Sequence, residues 1–221
     1  MPFSILTNQG IYSHPLNLTI VFLTAIAIFH IGIYHETALD KETSLFFVAL
    51  LPPPEIQNYV TQIKHDFANR YASRAALKSP PHITLQPPFE WANANTSTLE
   101  ESLKTFASGK QSVPIALDGF AAFPPRVIYV NVLKTPELLA LQVDLIAQMN
   151  KLLIIDSVSQ TRPFAPHITV AFRDLTKQNF RAAWSEFQPR QLHFEFTATQ
   201  LTLLLHDGKR WNVSVEFPFV P

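Results

Sequence analysis

The sequence PHITL at residues 81–85 is matched by PHITV at residues 166–170, so the tetrapeptide Pro-His-Ile-Thr occurs twice in the chain. In an extended strand, successive side chains point to opposite faces of the sheet. The histidine and the threonine of each copy therefore share one face, while the isoleucine and the apolar residue that follows share the other. Each copy predicts a strand with an imidazole and a hydroxyl on one face and a buried apolar face.

The sequence around the first copy predicts one set of elements. Leu45 to Leu51 is an unbroken apolar run, LFFVALL, that ends at three prolines and predicts a buried strand. Ser97, with Glu100 three residues later, has the pattern of a capping box at the start of a helix. The first set is completed by helices at about 55–71 and 97–108, the motif strand at about 82–86, and strands at about 113–120 and 127–133.

A second set of elements surrounds the second copy in the same order of helix, motif strand, helix and strands. Thr176 is placed to cap the helix after the motif, and Asp207-Gly208 predicts a tight hairpin. The predicted helices are 136–153 and 176–187, and the predicted strands are 167–171, 192–197, 201–206 and 211–217. The repeated order predicts an α+β fold of two duplicated lobes, at about 44–134 and 135–221, that face each other across a cleft.

The composition excludes several classes of protein. Seventeen basic and seventeen acidic side chains cancel to a formal net charge of +0, which argues against bulk electrostatic capture of duplex nucleic acid. The chain has no cysteine and only five glycines, so it offers no disulfide, no thiolate nucleophile and no glycine-rich phosphate loop. The other histidines match no metal-binding motif. We therefore expect no metal site and no cofactor.

Residues 1–43 differ from the rest of the chain. The segment 16–34, LNLTIVFLTAIAIFHIGIY, contains no charged residue and is just long enough for a membrane helix, which needs about 20 residues. Its polar residues leave three alternatives open: a membrane anchor, a loosely attached helix, or a stretch translated from a start codon assigned too early. We expect the globular part, residues 44–221, to be cytoplasmic unless segment 16–34 anchors it to a membrane.

Paired histidines suit the cleavage of a phosphodiester. In-line displacement takes a proton from the nucleophile and delivers another to the leaving oxygen on the opposite side. The reference pKa of histidine, about 6.5, allows one imidazole to be neutral and its partner protonated near neutral pH. We predict that His82 and His167 form this pair, and that the hydroxyls of Thr84 and Thr169 donate to the non-bridging phosphate oxygens.

Two His-x-Thr motifs in a duplicated α+β chain, together with the opening strand LFFVALLPPP, resemble the two-histidine phosphoesterase superfamily, and particularly its 2′-5′ RNA ligase-like and cyclic phosphodiesterase members. The resemblance covers about Leu45 to Phe217. It implies a bilobal fold in which two antiparallel sheets line a central cleft with the helices outside. It also implies hydrolysis of a 2′,3′-cyclic phosphate at an RNA end to a 2′-phosphate, or reversible action on 2′-5′ linkages, by the four motif residues.

Other functions remain open within this resemblance. One alternative is a phosphodiesterase for small substrates such as ADP-ribose cyclic phosphate or 2′-5′ oligoadenylate, and another is a module that binds RNA ends without catalysis. The expected partners are RNA ends or small cyclic nucleotides, bound by a monomer. Which histidine is the base and which the acid does not follow from the sequence, nor does the direction of the reaction.

Five flanking residues are weaker candidates for binding substrate. Arg126 and Arg173 could reach a phosphate, although a solvated arginine is as good an account of Arg126, and Arg173 could instead pair with the neighbouring aspartate. Phe89, Trp91 and Phe164 lie near the motifs and could stack on a base. Aromatic side chains beside strands also pack in cores, which is the alternative for these three.

Overall fold

The computed structural model describes residues 42–155 and 163–220. The segment 16–34, with its three alternatives, lies outside the described residues. Within the described ranges, no helix combines the length and the apolar character needed to cross a membrane. The division of the chain into residues 1–43 and 44–221 stays a prediction.

The chain opens with a strand and a helix. Strand β1 covers Thr43–Leu50 and helix α1 covers Pro54–Arg70. Pro54 is the first helical residue, where its missing N–H has no intrahelical partner to lose. The strand carries alternate side chains to two apolar environments, because Phe46 and Val48 belong to the main core while Phe47 belongs to a separate cluster on the other face.

The first motif strand is twice as long as predicted. Strand β2 covers Ile83–Ala92 and continues through Pro87 and Pro88. It lies at the edge of its sheet, and an edge strand tolerates proline because one side of its backbone has no partner strand. Ile83 and Leu85 are buried, which confirms the predicted apolar face.

Helix α2 covers Thr96–Ala107, and strands β3 and β4 cover Val113–Phe123 and Val127–Val132. The predicted capping box is wrong, because the helix begins one residue before Ser97 and its N-cap makes no side-chain hydrogen bond. A short 3-10 turn precedes this helix and leads directly into it.

The second half follows its predicted elements closely. Helix α3 covers Pro136–Lys151, strand β5 covers His167–Ala171 and helix α4 covers Lys177–Phe187. The prediction for Thr176 is confirmed, since its side chain accepts a hydrogen bond from the backbone N–H of Asn179. The remaining strands are β6, His193–Ala198; β7, Gln200–His206; and β8, Trp211–Pro218.

The strands form two antiparallel sheets of four strands each. The first sheet has the order β2-β1-β7-β8 and the second has the order β5-β4-β3-β6. Helix α1 packs on β5, α2 on β8, α3 on β2 and β3, and α4 on β4. The predicted α+β class, with two antiparallel sheets and flanking helices, is confirmed.

The predicted lobe boundaries do not match these sheets. Strands β7 and β8 come from residues 135–221 but complete the sheet of β1, and β3 and β4 come from residues 44–134 but complete the sheet of β5. The repeat is better described as β1-α1-β2-α2-β3 followed by β4-α3-β5-α4-β7, with β6 inserted between α4 and β7, and with β8 after the second unit. The last strand of each unit pairs with the first strand of the other, so each sheet is built from both units.

Candidate active site

His82 lies immediately before β2, and its ring is oriented by the backbone. Its Nδ1 is 2.7 Å from the carbonyl oxygen of Pro80. A carbonyl oxygen only accepts hydrogen bonds, so Nδ1 carries the proton and Nε2 is left for other chemistry.

His167, the first residue of β5, has the same arrangement. Its Nδ1 is 2.7 Å from the carbonyl oxygen of Ala165, two residues before it, as Pro80 is before His82. The intervening prolines, Pro81 and Pro166, have restricted backbone angles that help to hold these carbonyls in place. The repeated tetrapeptide therefore encodes two imidazoles of the same tautomer.

The two motifs lie next to each other across the sheets. Strands β2 and β5 are the edge strands of different sheets, and their Cα atoms approach to within 8 Å. His82 and His167 interact electrostatically, because the charge of His167 lowers the pKa of His82. Thr84 and Thr169, both half-buried, follow on the same strand faces as the histidines. The structure thus brings the four predicted residues to one cleft.

An aromatic ring packs against each histidine at matching positions of the repeat. The ring of Phe47 on β1 is centred 4.7 Å from that of His82, and the ring of Tyr129 on β4 is centred 4.9 Å from that of His167. These two residues align when LFFVALLPPPE at 45–55 is placed on VIYVNVLKTPE at 127–137. That alignment is the signal in the sequence that could have identified them.

Two further aromatic residues extend these contacts. Phe123 lies with its ring centred 5.4 Å from that of His167, and the side chain is 42% exposed. On the other side of the cleft, Trp211 lies 4.6 Å from Phe47, ring centre to ring centre. Neither residue was predicted from the sequence.

Burial governs the protonation of both histidines. It lowers the pKa of His82 from 6.5 to about 4, with the hydrogen bond to Pro80 opposing it and the charges of Lys64 and His167 adding to it. Burial also lowers the pKa of His167, opposed by the hydrogen bond to Ala165. Both imidazoles are therefore neutral near neutral pH in the free protein, and the positive charge of a nearby lysine lowers the pKa of His82 further.

Lys64 on α1 is this lysine, and it is only 2% exposed. Its Nζ donates a hydrogen bond of 3.0 Å to the carbonyl oxygen of Ser79. Burial lowers the pKa of Lys64 from 10.5 to about 7. The position that corresponds to it in α3 is Ile146, so only the His82 side of the cleft has this lysine.

Asp174 connects the chain that leads into one motif with the chain that leaves the other. Its carboxylate accepts from the Ser73 hydroxyl at 2.8 Å and from the backbone N–H groups of Arg74 and Ala75 at 2.7 and 2.9 Å. The expected alternative for Arg173, an ion pair with this aspartate, is wrong. Arg173 lies instead over the ring of Phe172, at 5.1 Å.

A second connection joins α1 to α4. The Glu186 carboxylate accepts from the guanidinium of Arg70 and, at 2.7 Å, from the hydroxyl of Tyr71. Asn179 adds a hydrogen bond of 2.8 Å from its side-chain amide to the Tyr71 carbonyl. These contacts and those of Asp174 fix the relative position of the segments that carry His82 and His167.

The flanking aromatic candidates contact the main core. Phe89 is opposite Phe46 in the β1–β2 register and stacks on it in the main core, with ring centres 6.3 Å apart. Trp91 and Phe164 pack against the same core. All three therefore have packing contacts, and their role in stacking on a base stays a prediction. Arg126 is exposed at the β3–β4 turn and its role stays a prediction.

Potential metal ligands are scattered rather than clustered. Among the residues that the structure describes, no group of three or more histidine, cysteine, aspartate or glutamate side chains is arranged to hold a metal ion.

Comparison with known proteins agrees with this geometry. The family model of the 2'-5' RNA ligase superfamily matches residues 52–210. A protein of Geobacillus kaustophilus (strain HTA426), named provisionally as a phosphoesterase, is 30% identical over 177 residues, 77% of this chain and 93% of the relative. A similarly named protein of Geobacillus sp. (strain WCH70) is 29% identical over 174 residues, with the same coverage.

Solved structures share the fold. The crystal structure of E. coli LigT complexed with 3'-AMP has a TM-score of 0.62 at 20% identity, over 81% of this chain and 100% of that one. TT0787 of Thermus thermophilus has a TM-score of 0.60 at 20% identity, over 79% and 97% of the two chains.

Two sheets that each present a His-x-Thr motif on an edge strand define the class of two-histidine phosphoesterases. The chain belongs to the 2'-5' RNA ligase superfamily. The predicted resemblance is confirmed.

Proposed function

We propose that this phosphoesterase hydrolyses RNA-type 2′,3′-cyclic phosphates to 2′-phosphates, and acts reversibly on 2′-5′ linkages, without a metal. The observation that carries the proposal is the matched pair of histidines. Each Nδ1 is bound to a carbonyl two residues upstream, which leaves each Nε2 free, and the two rings belong to neighbouring edge strands. That arrangement suits one proton removed and one delivered on opposite sides of a phosphate.

Hydrolysis of the cyclic phosphate needs only a water molecule and the side chains of the two motifs. A water oxygen attacks phosphorus as one Nε2 takes its proton, and the bond from phosphorus to O3′ breaks. The other histidine, which starts as an imidazolium, donates its proton to O3′, and this leaves a 2′-phosphate and a 3′-hydroxyl. The hydroxyls of Thr84 and Thr169 donate hydrogen bonds to the non-bridging oxygens, where negative charge increases in the transition state.

The electrostatics favour His82 as the base in hydrolysis and His167 as the acid. A bound phosphate anion raises the pKa of both imidazoles because it stabilises their charged forms. At His82 the nearby Lys64 opposes this effect, so His82 keeps its neutral form at lower pH. His167 has no corresponding lysine and gains the proton first. The roles exchange in the reverse direction.

A nucleotide substrate is supported by the aromatic residues of the cleft and by the fold neighbours. Phe123 offers an exposed ring beside His167, on which a base can stack. Structures of E. coli LigT contain 3'-AMP in one case and NADP+ in another.

The test is turnover of nucleoside 2′,3′-cyclic phosphates in EDTA, with the product identified by NMR or chromatography. We expect a 2′-phosphate, and a loss of at least about 10³-fold in kcat for His82→Ala and for His167→Ala, because each removes a proton-transfer group. Activity that chelation abolishes, or that survives both substitutions, rules out the two-histidine mechanism. Binding of cyclic phosphates without turnover would identify the non-catalytic module, and turnover of ADP-ribose cyclic phosphate or 2′-5′ oligoadenylate alone would identify the small-substrate enzyme.

We also propose that residues 44–221 act in the cytoplasm as a catalytic monomer, because one chain supplies both histidines. Light scattering after gel filtration measures the mass, and a stable dimer would contradict the proposal. Cell fractionation measures the location, and recovery in the membrane pellet would favour an anchor in residues 16–34.

A further inference from the structure

A cavity of about 350 Å³ borders the segment that leads into the first motif. One wall is the segment that leads into the first motif, and the opposite wall is the start of β8. Pro80, whose carbonyl oxygen orients His82, is part of the first wall. The lining residues are Thr61, Leu77, Lys78, Ser79, Pro80, Arg210, Trp211, Asn212 and Val213.

The cavity is connected to the histidine from its second wall as well. Trp211 packs edge-on against Phe47, and Phe47 packs against His82. Trp211 is also opposite His206 in the β7–β8 register, so its side chain lies on the same sheet face as Leu204 and Phe47. The cavity is therefore linked to His82 through Trp211 and Phe47 on one wall and through Pro80 on the other.

The cavity attracts anions. Lys78 and Arg210 line it from opposite walls, both are exposed, and the lining residues include no acid. Neither side chain forms an ion pair with another described residue.

The carboxylate of Asp207, three residues before Arg210, already has partners in the β7–β8 hairpin. It accepts from the backbone N–H groups of Lys209 and Arg210 and from the side-chain amide of Asn212, each at 2.8 Å. These hydrogen bonds hold its pKa at about 2. The carboxylate thus orders the turn that carries Arg210, and it reduces but does not cancel the positive charge of the cavity.

Size and shape then limit the ligand. A volume of 350 Å³ is at the small end of the range for organic ligands, roughly 300–1,000 Å³, and suits one nucleotide unit. The indole of Trp211 offers a surface for a base, and two cations suit the phosphodiester that joins this nucleotide to the next one.

We infer that this cavity binds the penultimate nucleotide of an RNA 3′ end, with its base against Trp211. The phosphodiester that joins it to the terminal nucleotide lies between Lys78 and Arg210. The inference rests on the proposed function and deepens it, because it makes an oligonucleotide with a terminal cyclic phosphate a better substrate than a cyclic mononucleotide.

The test compares adenosine 2′,3′-cyclic phosphate with the dinucleotide ApA that ends in a 2′,3′-cyclic phosphate. Lys78→Ala and Arg210→Ala are the test variants, and Lys209→Ala, an exposed lysine of the same hairpin outside the cavity, is the matched control. For the dinucleotide we expect a kcat/KM about tenfold above that of the mononucleotide. Each test variant raises the KM of the dinucleotide roughly threefold to tenfold, the effect of one exposed phosphate contact. The KM of the mononucleotide in the test variants, and the KM of either substrate in Lys209→Ala, change by less than about twofold.

Two results would overturn the inference while leaving the proposed function in place. One is equal kcat/KM for both substrates, and the other is an equal effect of the test variants on both. If neither substrate is turned over, the proposed function fails, and binding of ApA 3′-phosphate is measured by calorimetry instead. Binding weakened by Lys78→Ala and Arg210→Ala, but not by Lys209→Ala, then supports the subsite, and binding unaffected by them overturns it.

Discussion

The ammonium group of Lys64 donates a hydrogen bond of 3.0 Å to the carbonyl oxygen of Ser79, and the next carbonyl along the chain, that of Pro80, orients His82. A buried lysine thus holds the segment that leads into the first motif and acts electrostatically on its histidine. The second histidine has the same carbonyl contact without a lysine. This difference breaks the symmetry of a repeated site.

The first prediction concerns the pH dependence of catalysis. Lys64→Met removes a positive charge beside His82 and therefore raises its pKa. If His82 is the base, the acidic limb of the bell-shaped profile of kcat/KM moves to higher pH by about 0.5–1 unit. Lys104→Met, an exposed lysine of α2, serves as the control and leaves the profile unchanged. A shift of the alkaline limb alone would assign His82 as the acid instead.

The second prediction concerns stability and uses the same variant. The folded protein holds the pKa of Lys64 at about 7, below the 10.5 of the unfolded chain. Between these values the unfolded chain binds more protons, so the contribution of Lys64 makes the free energy of unfolding rise with pH. Urea unfolding at pH 7, 8 and 9 measures this. The free energy of unfolding of the wild type, relative to that of Lys64→Met, should increase steadily from pH 7 to pH 9. A difference that stays constant with pH would contradict a buried lysine with a lowered pKa.

The third prediction concerns Asp174 as a positioning residue. Asp174→Ala leaves the Ser73 hydroxyl and the N–H groups of Arg74 and Ala75 without their acceptor. We expect the melting temperature to fall by about 2–4 °C, the effect of roughly 1 kcal/mol in a domain of this size. We expect kcat to fall severalfold with little change in KM, because the two histidines lose their alignment.

Asp144→Ala is the control for Asp174, since it removes a surface ion pair with Lys110. Surface ion pairs contribute little, so its melting temperature and kcat stay close to wild type. A loss of stability in Asp174→Ala with unchanged kcat would leave Asp174 with a structural role alone.

The fourth prediction concerns Phe123 as the ring that stacks on the terminal base. Phe123→Ala removes the exposed ring beside His167 and raises KM for cyclic nucleotides roughly fivefold to tenfold, as expected for one stacked base. Phe123→Trp keeps an aromatic ring at this position and therefore keeps the KM of the wild type. Val143→Ala, an exposed apolar residue of α3, is the control and leaves KM unchanged. Equal KM values for the alanine variant and wild type would remove Phe123 from the binding site.

Much of the fold was predictable because the repeat carries strong local signals. Alternation in PHITL and PHITV predicted which residues are buried, and Ile83 and Ile168 are indeed inaccessible to solvent. Proline at position 54 and threonine at position 176 marked helix starts that the structure confirms. These features depend on neighbouring residues, which a sequence displays directly.

The features that were not predicted depend on contacts between distant parts of the chain. The exchange of strands between the sheets was not predicted, because β3 and β7 each pair with the first strand of the other unit through long-range contacts. The burial of Lys64 was not predicted, because a lysine on a helix is usually solvated and only the tertiary fold buries this one. The contact between Phe89 and Phe46 likewise depends on the pairing of two strands about forty residues apart, which the local sequence does not show.

The exchange of β3 and β7 between the sheets also has a consequence for biosynthesis. Phe46 pairs with Leu205, so the sheet beside His82 cannot be completed until nearly the whole chain has left the ribosome. Such high contact order slows folding, and it leaves the edge of β1 open to other chains in the meantime. For the same reason, we expect a fragment that ends before β7 to be inactive, and we expect activity to return when the missing segment is supplied as a second chain.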